Sequence, residues 1–169
     1  QVSQLVGLLS SGASVLVAFD YQPGSSGEMD AVAAAVVDHM MIQGASLALV
    51  STVPMGPAVA EHFIQKVQWK HRYLSGQNYV NLGYIPGGVT GLLSFAESPV
   101  RTFPYTLDGQ PAWGSGPLQG IHSLQDFSLV LVIVDDPQVA QLWVEQVGPR
   151  LGETPLAMVI SARAEAMVR

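Results

Sequence analysis

The sequence predicts an α/β fold: a three-layer, Rossmann-like domain built on about five mostly parallel strands. Two observations lead there. Short runs of aliphatic and β-branched residues are hydrophobic throughout rather than alternating, as strands covered on both faces are. Segments with a helical apolar period separate those runs, and strand–helix alternation is the signature of βαβ units. Right-handed crossovers then put helices on both faces of the sheet.

Residues 2–9 read as a leading helix, followed by a first strand at 15–20. Residues 29–43 carry Val32, Val36 and Met40 on one helical stripe and Asp30 and Asp38 on another. The second strand is expected at 47–53. A helix over 57–69 opens with Pro57 at its first position and aligns Val59, Phe63 and Val67, with Glu61 and Gln65 facing elsewhere. A weaker strand run covers 79–84, and a short helix over 89–96 is entered through Gly87-Gly88. Residues 129–135 form the fourth strand run. The segment 137–147 repeats the proline-opened helix with Val139, Trp143 and Val147 inward, and 156–160 is the last strand. The rhythm breaks over 98–126, which holds Pro99, Pro104, Pro111 and Pro117 together with four glycines. Phe103, Tyr105 and Trp113 mark this segment as an ordered excursion rather than a free tether. Its tail, Ser123 to Asp126, reads as a short helical turn.

The 169 residues fit a single domain, 1–169. With 49% hydrophobic and only 12% charged residues, a disordered chain is excluded. Seven Lys and Arg against thirteen Asp and Glu give a net charge of −6, which speaks against nucleic acid as a partner. The basic cluster Lys66, Lys70, His71 and Arg72 reads as the solvated end of a helix, where cations favour the dipole. There are no cysteines, hence no disulfides, thiolate metal sites or cysteine nucleophiles. Oily composition, together with a first residue, Gln1, that is not Met, leads to the expectation of a soluble domain excised from a longer, membrane-anchored protein. No run of about 18 residues is apolar enough to span a bilayer.

Ligands of open parallel sheets collect beyond the carboxyl ends of the strands. The first strand ends at Asp20 and the fourth at Asp135-Asp136, with Glu28 nearby in the following loop. These four carboxylates are candidate ligands for a divalent cation, magnesium or calcium, or an acid–base set. Asp136 before Pro137 is also a standard helix cap. Ser25 and Ser26 sit in a Gly/Ser-rich turn that opens a helix, and either an anion or the helix itself can use them. Ser51 and Thr52 follow the second strand. Gly83, Tyr84, Gly87 and Gly88 belong to the distinctive loop Gly83-Tyr84-Ile85-Pro86-Gly87-Gly88, where an anion, a peptide end or a neighbouring subunit can dock. The histidines show no metal-binding spacing, and no Gly-x-Ser-x-Gly elbow or phosphate-loop lysine is present.

Phe19-Asp20-Tyr21-Gln22-Pro23 with Gly27-Glu28-Met29-Asp30, Ala48-Leu49-Val50-Ser51-Thr52 with Gly56, Tyr79 to Gly88, Asp126-Phe127 and Gln146-Val147-Gly148 together resemble an uncharacterised family of bacterial and archaeal membrane-associated proteins. The resemblance implies an α/β domain flanked by membrane segments, with no activity and no catalytic residues to carry over. The expected role is protein interaction or assembly, with another membrane-associated protein or a second copy as partner. The alternative is a cation-dependent enzyme or ligand-binding domain using Asp20, Glu28, Asp135 and Asp136.

Overall fold

The computed structural model describes residues 2–114 and 116–161. Helix α1 (Val2–Gly7) precedes β1 (Ser14–Asp20), α2 (Ser26–Ile42), β2 (Ser46–Ser51), α3 (Gly56–His71) and β3 (Tyr79–Tyr84). Then come α4 (Gly88–Glu97), the single-turn α5 (Pro99–Thr102), β4 (Leu129–Val134), α6 (Pro137–Gln146) and β5 (Leu156–Ile160). The five strands form one sheet in the order β3-β2-β1-β4-β5, and every pairing is parallel. The expected three-layer α/β class is the one observed.

Alternation along the strands splits the core in two. Val15, Val17 and Phe19 of β1 pack with Val6, Met29, Val37 and Phe63 of α1–α3 on one face. Leu16 and Ala18 pack with Leu92, Phe95, Ala140 and Trp143 of α4 and α6 on the other. The chain winds outward from β1 to β3 under α2 and α3, then returns past α4 to start β4 on the far side of β1. The strand order therefore reverses between β1 and β4, and the carboxyl ends of these two strands frame the crevice where such sheets bind ligands.

Strand β2 ends at Ser51 rather than at 53 and a short helix, α5, opens the excursion, and two further differences bear on the core. The buried stripe of α2 is Met29, Ala33, Val37, Met40 and Met41, while Val32 is 39% exposed. The stripe thus runs through Met29, Ala33 and Val37, one position away from Val32 and Val36, and a hydropathy period alone did not separate the two. Strand β5 alternates between buried and half-buried positions instead of being covered on both sides, because it is an edge strand.

The excursion is ordered, as expected. It returns Phe103, Ala112, Leu118, Ile121 and Leu124 to the second core. The Trp113 indole donates to the Phe103 carbonyl at 2.6 Å, and Ser123 with Asp126 forms a capping box on the last short turn. The Leu107 amide donates to the Asn81 carbonyl at 2.8 Å, so the excursion covers part of the outer edge of β3. Covering an edge strand blocks pairing with another chain. Among the described residues, no helix is long and apolar enough to cross a membrane.

Candidate functional site

Asp20, the last residue of β1, is fully buried. Its Oδ1 accepts from the Thr52 amide at 2.7 Å and lies 3.0 Å from the Ser51 hydroxyl. Its Oδ2 accepts from the Thr52 hydroxyl at 2.8 Å and from the Trp143 indole N–H at 2.6 Å. Burial is the dominant influence on this carboxyl and pushes its pKa up; the hydrogen bonds from Trp143, Thr52 and Ser51 oppose it. A buried carboxylate needs partners for its lone pairs, and here neutral donors supply them. Asp20 thus binds the end of β1 to β2 and to α6.

The Ser51 hydroxyl has a single proton and three acceptors in reach: the carbonyls of Phe19 at 2.7 Å and Val53 at 3.1 Å, and Asp20. It also accepts from the Val53 amide at 2.9 Å. Helix α3 begins directly on this knot. A Cβ at Gly56 would stand 1.8 Å from Ser51 Oγ and 2.7 Å from the Phe19 carbonyl oxygen, so only glycine fits. Of the sequence-derived candidates, Asp20, Ser51 and Thr52 come together in one hydrogen-bonded knot.

The other carboxylates go elsewhere. Asp135 accepts from the Gln22 amide at 3.1 Å, which pins the loop after β1. Asp136 caps α6 by accepting from the Gln138 amide at 2.8 Å. Glu28 is exposed in the first turn of α2. Among the described residues, no group of three or more Asp, Glu or His side chains is placed to hold a metal ion. The expected convergence of Asp20, Glu28, Asp135 and Asp136 on a divalent cation is therefore not found, because Asp20 turns inward to Trp143 and Asp136 turns back to its own helix. Ser25 occupies the cap position of α2, yet its side chain makes no capping bond, and Ser26 donates instead to the Pro23 carbonyl at 2.7 Å. The preceding 3-10 turn, Pro23–Ser25, takes over the entry to the helix.

The glycine loop is a tight structural turn. Gly83 (φ 113°) follows the point where β3 slips one residue against β2, and Gly87 (φ 94°) starts α4 from a left-handed conformation. Gly91, one turn on, is the demanding position: a Cβ there would stand 1.6 Å from the Pro86 carbonyl oxygen. The loop folds back on its own helix, leaving Tyr84 partly exposed and Gly88 open.

Sequence reasoning missed Asn81. It lies on β3 facing α3, where its Nδ2 donates to the Pro57 carbonyl at 3.1 Å and to Glu61 Oε1 at 3.2 Å. A polar residue inside a strand run was the available signal. It also missed that Tyr21, fully buried, donates to Asp30 at 2.7 Å.

No family model, curated protein or solved structure matches the chain.

Proposed function

We propose that the domain works through protein contact, as an assembly or recognition module, rather than through catalysis. One observation carries the reading: among the described residues the three most exposed large apolar side chains stand along one rim, while those at the opposite end of the sheet, Met55, Tyr84 and Val89, are less exposed. In a parallel α/β layer the helices end at the amino end of the strands. Leu8, just after α1, is 82% exposed; Ile42, the last residue of α2, is 67% exposed; Trp69, in the last turn of α3, is 77% exposed. Leu74 follows on the same side, before β3. Single exposed apolar residues are ordinary, but their gathering at one end of three adjacent helices is the pattern of a contact surface. At the opposite end of the sheet, Asp20, Ser51 and Thr52 are spent on one another and on Trp143. Tethering beside a membrane, which the family resemblance implies, belongs to the same proposal.

A photo-crosslinking amino acid at position 69, in the protein expressed in its source cells, tests it against the same probe at exposed Gln119. A discrete adduct from position 69 that disappears with Ile42→Ser supports the reading. Equal adducts from both positions, or none from position 69, contradict it.

A further inference from the structure

We propose that the outer edge of β3 holds a second site, for a small organic cation of the ammonium or amidinium class, built from Glu61, Asp108 and the side-chain carbonyl of Asn81. A cleft of about 250 Å3 opens there between α3, β3 and the excursion, lined by Glu61, Ser75, Tyr79, Asn81, Leu107 and Asp108. A neighbouring cleft of about 330 Å3 shares Ser75, Asn81 and Asp108 and continues along Thr106 and Gln110.

Asn81 is the observation that points to a ligand. The residue is 5% exposed, and its Oδ1 is buried without a hydrogen-bond partner. The orientation of the amide is fixed, because exchanging its two ends would set the carbonyl against the Pro57 carbonyl and Glu61 Oε1. An unmet buried acceptor is costly, and a donor brought by a ligand relieves that cost. Tyr79 and Asn81 are two residues apart on β3, so both project to the face where Glu61 of α3 stands, and both line the cleft.

Among the described residues, the charge around that acceptor is negative. Among the described residues, no Lys, Arg or His lines either cleft, and neither Glu61 nor Asp108 takes part in an ion pair. The Tyr79 hydroxyl reports the same field: burial raises its pKa first, and the Glu61 and Asp108 charges raise it further. An anion is repelled by such a site. A hard metal ion seeks six or more oxygens with several carboxylates, a set that the described residues do not assemble. An ammonium group brings three N–H donors, which match the two carboxylates and the Asn81 carbonyl. The volume suits a ligand of a few heavy atoms, below the usual range for drug-sized ligands.

The test is an NMR titration of the whole 169-residue chain with methylammonium, putrescine and agmatine chlorides, with sodium chloride as the ionic control. The expected result is saturable shifts from at least one amine, centred on the Asn81 side-chain NH2 and the amides of Leu107 and Asp108. The double variant Glu61→Gln/Asp108→Asn keeps the acceptors for Asn81 and Thr106 while removing both charges, and it should weaken binding at least about tenfold. Asp108→Asn alone, in an exposed turn, serves if the double variant is unstable. Shifts reproduced by sodium chloride, no saturable shift from any amine, or undiminished binding by the charge-free variant each overturn the proposal.

Discussion

Removing the Asp20 carboxylate should destabilise the domain by several kcal/mol. In Asp20→Ala the Trp143 indole N–H, the Thr52 amide and the Thr52 hydroxyl lose their acceptor, while Ser51 keeps the Phe19 and Val53 carbonyls. Trp143 is fully buried and bears the larger part of a penalty of about 1–3 kcal/mol per unsatisfied donor. Thr52 is only half-buried, so water meets part of its demand. The sum is about 3–5 kcal/mol, a large share of the roughly 5–15 kcal/mol that holds a domain folded. Urea denaturation followed by tryptophan emission measures it. The isosteric Asp20→Asn adds a pH signature. Burial raises the native pKa above the unfolded 3.8, so the native state holds its proton to higher pH than the unfolded chain. Stability contributed by this group is then present at low pH and declines as pH rises from near 3.8 through the native pKa. The wild type's advantage over Asp20→Asn should therefore be greatest at low pH and shrink as pH rises. An Asp20→Ala loss below about 1 kcal/mol, or an advantage that grows with pH, would refute the reasoning.

Other substitutions separate the remaining parts of the structure. Gly91→Ala forces a Cβ to 1.6 Å from the Pro86 carbonyl oxygen, and thermal melting should show a loss of about 3 kcal/mol or more, whereas Gly27→Ala, with nothing within 4 Å, should change little. Asp38, held by His71 and Lys70, has its pKa lowered chiefly by the His71 contact. Its contribution is present above the unfolded pKa and is lost as pH falls through the depressed native value, so Asp38→Asn should flatten the acid limb of the stability curve. Solvent screening keeps that effect below about 1 kcal/mol. Trp113→Phe removes the bond to the Phe103 carbonyl and should make the excursion over 98–126 more susceptible to limited proteolysis while the sheet stays intact.

The fold was legible because two-sided burial leaves a strong mark on strands. The runs ending at Asp20, Tyr84 and Ile160 appear at those boundaries in the structure, and Pro57 and Pro137 stand at the starts of their helices as expected. The fate of Asp20 was not legible. Its decisive donor, Trp143, lies 123 positions away, and a strand-end aspartate reads alike whether it faces a crevice or an indole. Asp136 was easier, because its capping partner is two residues on. Gly56 and Gly91 depend on contacts with Ser51 and Pro86 that follow from helix placement, not from turn composition. Asn81 was hidden for a similar reason: its partners, Pro57 and Glu61, belong to the helix preceding its strand.

Hydrogen–deuterium exchange tests most directly whether the apolar rim, rather than the strand-end carboxylates, is where the domain meets its partner. The isolated domain would be compared with the protein in its native assembly. The expected result is new protection over 39–45 and 66–74, around Ile42, Trp69 and Leu74, with the strand-end segments 20–28, 51–56 and 135–138 unchanged. Protection confined to those strand-end segments, with the rim exchanging as fast as in isolation, would contradict it.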